Sequence, residues 1–149
     1  MPVKTELPAL VDTNVIMYSL YKSEKHHAAC VNLLKQAHDG EVALCVFPQI
    51  IGELYSNITP AKMAGSYAPT EAVQAIEEIL RFKGISLLPL PADVVPRLLK
   101  LLAENKQVRG GDVFDVQLVA AMQGSGIKRV YTYNRKDFVR FDGIEVLEP

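Results

Sequence analysis

A chain of 149 residues suits one domain, and a chain of that size buries roughly 70% of the surface its unfolded form exposes. Hydrophobic residues make up 49% and charged residues 22%, which excludes a disordered or fibrous protein. The net charge of −1 excludes a global pull toward nucleic acid, so any such contact must rest on local basic clusters.

No apolar run approaches the ~20 residues of a membrane span. Met1-Pro2-Val3-Lys4-Thr5-Glu6 lacks the apolar core of a signal peptide. Cys30 and Cys45 belong to no metal-spacing motif, and a reduced, cytoplasmic protein is expected. There is no repeat and no linker, so residues 1–149 are read as one domain.

In chain order, Ala9-Leu10-Val11 is a short apolar strand ending at Asp12. Residues 25–38 carry Cys30, Val31, Leu34 and Ala37 at helical spacing, and Asp39-Gly40 closes that helix. His26-His27 lacks ligand spacing and is read as helix surface. Val42 to Phe47 is a continuous apolar run, as a strand covered on both faces requires. Pro48 opens a helix with Ile50, Ile51, Leu54 and Ile58 on one side. Residues 59–69 form a loop. Thr70 caps a helix with Val73, Ile76, Ile79 and Leu80 inward, and Gly84 ends it. Ile85 to Leu90 is a strand whose Pro89 suits an edge or an early end. A helix follows over 93–105, then a polar loop over 106–111. Asp112 starts the next helix, which Gly124-Ser125-Gly126 stops. Ile127 to Tyr133 and Ile144 to Leu147 are the last strands. Strands alternating with helices give parallel pairing and right-handed crossovers. The expected fold is a three-layer α/β/α sandwich around a mainly parallel, doubly wound sheet. In such sheets a ligand crevice lies outside the carboxyl ends of the strands.

That rule selects the acids. Asp12 sits at the end of the first strand with Thr13 and Asn14 beside it, although an Asp-Thr-Asn turn explains it equally. Glu53 falls at the edge of a buried helical stripe, with Asn57 on the same face; by itself it reads as a solvated Glu. Asp112 and Asp115 open a helix and suit its dipole, with Asp112 a natural N-cap. That helix is apolar nearly all round, and a carboxylate on a buried helix must be paired or hold a metal. Thr132, Asn134 and Asp137 follow the fourth strand at the same sheet edge, with Phe138 as a core anchor. Clustered carboxylates with few histidines favour Mg²⁺ or Mn²⁺ over zinc. A hydrated ion there binds a phosphate oxygen and generates a nucleophile.

Four segments carry a resemblance to PIN domains. Leu10-Val11-Asp12-Thr13-Asn14 resembles their opening motif and Ile51-Gly52-Glu53-Leu54 their second. Val113-Phe114-Asp115 and the alanine-rich helix after it resemble the third, and Tyr131-Thr132-Tyr133-Asn134-Arg135-Lys136-Asp137-Phe138 the fourth. The size resembles the VapC toxins of toxin–antitoxin pairs. The resemblance implies a metal-dependent endoribonuclease that cuts RNA with water and leaves a 5′-phosphate. It implies Asp12 and Asp115 as main ligands, and Glu53 as a ligand or as acting through a bound water. Asn134 stands where an Asp is common, leaving Asp137 to supply or orient the last contact. Asp112 is an additional acid beside the third motif and a further candidate ligand. A homodimer and a silencing antitoxin partner are implied as well.

Lys106, Arg109, Arg135, Lys136 and Arg140 lie near the third and fourth motifs as candidate phosphate contacts, each also readable as a solvated rim. Two alternatives compete. One is a PIN-like scaffold that binds RNA or protein without cutting. The other is a metal-binding phosphoacceptor domain, which wants an Asp ending a central strand; the second and third strands end in Val46-Phe47-Pro48 and Leu88-Pro89-Leu90 and offer none.

Overall fold

A computed structural model describes residues 7–149. The N-terminal segment Met1–Glu6, read above as lacking a signal core, lies outside the described residues. The first strand, β1 (Ala9–Val11), is buried on both faces, as its unbroken apolar run requires. It is the middle strand of a five-stranded, wholly parallel sheet ordered β3-β2-β1-β4-β5. The others are β2 (Leu44–Val46), β3 (Ile85–Leu87), β4 (Arg129–Tyr131) and β5 (Glu145–Leu147). Leu10 pairs with Cys45 on one side and Val130 on the other. These central residues have no exposed surface. Burying each large aliphatic side chain of this kind stabilises the fold by roughly 1.5–3 kcal/mol.

Among the described residues, seven α-helices cover the sheet. They are α1 (Thr13–Leu20), α2 (His27–His38), α3 (Pro48–Ile58), α4 (Pro69–Leu80), α5 (Val94–Glu104), α6 (Val113–Ser125) and α7 (Arg135–Phe138). They pack as two groups: α1 touches α2 and α3, and α3 touches α4, whereas α6 touches α5 and α7. Two helical layers around a parallel sheet form the expected sandwich. The chain winds outward from β1 through β2 to β3, then crosses back to place β4 on the other side of β1. The winding therefore reverses between β1 and β4. A crevice opens at the carboxyl ends of strands at such a reversal. Among the described residues no helix is long and apolar enough to cross a membrane. Cys30 and Cys45 are buried free thiols.

Several local expectations are corrected. Thr13–Leu20 is a helix where only a polar turn was read. Asp12 caps it, its carboxylate accepting from the Thr13 amide, while Val15 and Ile16 drop into the core. Thr70 does not cap α4: Ala68 is the N-cap, and Pro69 takes the first helical position, where its missing N–H costs nothing. Val73 faces solvent at 48% exposure, and Ala72 takes the inward place beside Ile76 and Ile79. The same helix ends at Leu80 rather than Gly84. Gly84 serves a close approach instead, since a Cβ there would stand 2.1 Å from the Val42 carbonyl oxygen. Its amide donates to the Ala37 carbonyl at 2.7 Å, and its carbonyl accepts from Leu44 at 2.7 Å. Asp112 is the N-cap residue of α6, as expected, but its side chain makes no cap bond; it also closes a short 3-10 turn, Gly110–Asp112. His26 is not bare helix surface. Its ring stacks on Tyr133 at 3.8 Å and 14°, and the His27 ring meets the Tyr18 carbonyl at 2.8 Å. The edge position expected of the third strand holds, since β3 pairs only with β2.

Candidate active site

The carboxyl ends of β1 and β4 lie side by side, and their first residues beyond the sheet meet. The Asp12 amide donates to the Tyr131 carbonyl at 3.0 Å, which seats Asp12 against the end of β4. Asp12 is only 5% exposed. Oδ1 accepts from the Thr13 amide at 2.8 Å. Oδ2 accepts from the Thr132 hydroxyl at 2.8 Å and from Asn14 Nδ2 at 3.1 Å. A buried carboxylate needs such donors. Burial nevertheless pushes its carboxyl above the ordinary range, outweighing the donors from Thr132, Thr13 and Asn14; Glu53 pushes the same way.

The fourth-motif loop is tied to this turn at two further points and braced within itself at a third. Asn14 Nδ2 also donates to the Thr132 hydroxyl oxygen at 3.1 Å, and Asn14 Oδ1 accepts from the Tyr133 amide at 3.2 Å. The Asn134 amide donates to the Thr132 oxygen at 3.0 Å. Asn134 thus acts here through its backbone, with its side chain exposed, so Asn in place of Asp leaves this contact unaltered. The Tyr133 ring is held by His26 on its face and by the Cys30 thiol near its hydroxyl at 4.0 Å.

Glu53 comes from α3, one turn past Gln49. Its Oε2 accepts from the Thr13 hydroxyl at 2.9 Å and its Oε1 from Gln49 Nε2 at 2.8 Å. Thr13 therefore serves both acids, its amide to Asp12 and its hydroxyl to Glu53. Asp115 sits in the first turn of α6, partly buried. Its carboxyl is pushed up to about 7, first by burial and then by the charges of Asp137, Asp12 and Glu53; Arg140 pulls the other way. Hydrogen bonds fix Asp12 and Glu53, but none among the described residues reaches the Asp115 carboxylate.

The structure thus brings Asp12, Glu53, Asp115 and Asp137 into one electrostatic neighbourhood at the β1/β4 reversal, with Thr13, Asn14 and Thr132 as their scaffold. Asp112 is exposed on the 3-10 turn and is not among the charges acting on Asp115. Asn57 is exposed and joins none of these bonds. Lys106, Arg109, Arg135, Lys136 and Arg140 are all exposed. Arg140 also lies 5.0 Å over the Phe141 ring. Among the described residues, no three His, Cys, Asp or Glu side chains stand close enough to hold a metal ion unaided. Sequence reasoning passed over Gln49, whose amide also donates to the Phe114 carbonyl at 3.0 Å. Its spacing of four from Glu53, on the same helical face, was the available signal.

The central strand does end in an Asp, so the absence of acids after the second and third strands does not dispose of a phosphoacceptor. Asp12 is a poor one all the same, being buried with both oxygens engaged.

A family model for the PIN domain matches residues 9–144. Over 140 residues the chain is 26% identical to Ribonuclease VapC48 of Mycobacterium tuberculosis, spanning 93% of this chain and 94% of that protein. Mycobacterium tuberculosis VapC20, described as a sarcin-ricin loop cleaving toxin, superposes with a TM-score of 0.68. It is 15% identical, over 95% of this chain and 99% of that one. VapBC2 from Rickettsia felis, bound to a DNA fragment from their promoter, superposes with a TM-score of 0.69. It is 14% identical, over 96% of this chain and 99% of the other. The two superpositions establish the fold. The family match extends over nearly the whole chain, across β1, α3, α6 and β4, the elements that carry or adjoin the acids: this chain belongs to the PIN-domain family.

Proposed function

We propose that this chain is a divalent-metal-dependent endoribonuclease of the VapC toxin kind, hydrolysing RNA phosphodiester bonds. The observation that carries the reading is the meeting of acids from separate elements at the carboxyl rim of the sheet: Asp12 is seated against the end of β4 and joined to Glu53 through Thr13, with Asp115 and Asp137 near enough for their charges to act on one another. Carboxylates that raise one another's proton affinity will take a cation in place of the proton. The donors are all oxygen, which suits Mg²⁺ or Mn²⁺ rather than zinc.

Asp12 and Asp115 would hold the ion, with Glu53 binding it directly or through a water. Asp137 would supply or orient a last contact. When bound, the ion supplies charge neutralisation at the phosphate and acidifies water. The remaining work belongs to the protein. Thr132, Asn14 and the Thr13 amide hold Asp12 in one geometry, and the Thr13 hydroxyl with Gln49 holds Glu53. Lys106, Arg109, Arg135, Lys136 and Arg140 would meet phosphates of the strand; Arg140 is the one whose charge already reaches Asp115. Hydrolysis adds water across the P–O3′ bond, with hydroxide going to phosphorus and a proton to the leaving oxygen. The products carry a 5′-phosphate and a 3′-hydroxyl. The family resemblance adds a cognate antitoxin and a homodimeric state to this reading.

Purified protein mixed with RNA and Mg²⁺ or Mn²⁺ should release fragments bearing 5′-phosphates, and EDTA should stop the release. RNA bound but left intact in Mn²⁺ would favour the non-cutting scaffold instead.

A further inference from the structure

Gln49 occupies the first turn of α3, directly after Pro48 and four residues before Glu53. Its Nε2 donates to two acceptors on different helices, Glu53 Oε1 at 2.8 Å and the Phe114 carbonyl at 3.0 Å. Phe114 immediately precedes Asp115. One amide nitrogen therefore joins the carboxylate of one acid to the backbone beside another. The orientation of the amide is dictated chemically. Reversed, it would set its oxygen against a carboxylate and a carbonyl, both acceptors.

The other end of this amide is unusual. Gln49 Oε1 is shut off from solvent and has no partner among the described residues. An unpaired buried acceptor is a cost to the fold, and a bound water is its ordinary remedy. Glu53, meanwhile, is held from both sides. Thr13 ties Oε2 to the Asp12 turn, and Gln49 ties Oε1 to the Asp115 turn. The Phe114 ring, 53% exposed, anchors little of that turn by packing.

We infer that Gln49 is a positioning residue: its amide fixes Glu53 relative to Asp115 and thereby sets the affinity of the acidic cleft for a divalent ion. This rests on the nuclease reading of those acids. Groups that orient a metal's ligands commonly change affinity by about 10- to 100-fold when removed. A side chain that merely joined α3 to α6 would change stability without changing affinity.

The test uses the full chain, stripped of metal and titrated with Mn²⁺ while free Mn²⁺ is followed by electron paramagnetic resonance. Melting temperatures are recorded alongside. The proteins are wild type, Gln49→Met, Gln49→Asn, Glu53→Gln and the double variant Gln49→Met/Glu53→Gln. Met keeps the length without the donor; Asn keeps the amide on an arm too short to bridge, and carries the test if the Met variant fails to fold. Each Gln49 variant should bind Mn²⁺ about tenfold or more weakly. In the Glu53→Gln background, Gln49→Met should change affinity by less than about twofold, because the two act as one unit. Unchanged affinity in folded Gln49 variants would overturn the inference and leave the nuclease reading standing. So would an equal loss in both backgrounds. A wild-type protein that cleaves no RNA and binds no Mn²⁺ would overturn both.

Discussion

Replacing Asp115 by Asn should stabilise the metal-free protein at neutral and alkaline pH. The Asp115 carboxyl moves from an ordinary 3.8 to about 7 in the folded chain. That gap corresponds to about 4 kcal/mol, at 1.36 kcal/mol per pH unit. The group is only partly buried, and solvent screening brings the figure to about 2 kcal/mol. The sign follows from proton binding. Below about pH 4 both folded and unfolded chains hold the proton, and nothing is lost. Between about 4 and 7 the unfolded chain releases it first, so stability falls as pH rises; above 7 the loss is complete. In EDTA at pH 8, Asp115→Asn should therefore melt about 4–8 °C above wild type, and the gap should close near pH 4. Mn²⁺ should raise the wild-type midpoint and leave that of the variant nearly unmoved. The assay is thermal unfolding followed by circular dichroism across pH. A variant no more stable than wild type at pH 8 in EDTA, with a parallel pH profile, would refute the reasoning.

Thr132→Val removes a donor from a carboxylate that is only 5% exposed and leaves the Asn134 amide without its acceptor. It should lower stability in urea denaturation by about 1–3 kcal/mol. Gly84→Ala should cost about 3 kcal/mol or more in the same measurement, because the atoms it meets, at 2.1 and 2.8 Å, are backbone carbonyl oxygens that cannot swing aside. Arg140→Ala removes a cation that draws the Asp115 carboxyl down. Protons should then compete better, and the pH of half-maximal Mn²⁺ binding should rise.

The sequence made the acids legible for different reasons. Strand-end position made Asp12 a candidate, because a parallel strand delivers its last residue to one rim of the sheet, but a polar turn explained it equally until Glu53 and Asp115 were set beside it. Asp115 followed from contradiction, a carboxylate on a helix with no polar face. What stayed hidden was pairing between distant segments. Thr13–Leu20 alternates no more like a helix than like a turn until Val15 and Ile16 are seen in the core. Nothing local says that Tyr133 and His26, far apart in the chain, stack at 3.8 Å. Gln49 reads as ordinary helix polarity, because its meaning lies in Phe114, 65 residues away. The cap misread at Thr70 has a local cause: Pro69 takes the helix start ahead of the polar side chain, with Ala68 as the N-cap.

Single-turnover cleavage of RNA in saturating Mn²⁺, wild type beside Asp12→Asn, tests the central claim most directly. The carboxylate seated between β1 and β4 is the most deeply buried of the acids, and amide substitution keeps its shape while removing its charge. The account predicts a loss of about 100-fold or more in the variant, comparable to removing an electrostatic group acting at the reacting phosphate. It also predicts that EDTA abolishes wild-type cleavage. Equal rates for the two proteins, or cleavage persisting in EDTA, would contradict it.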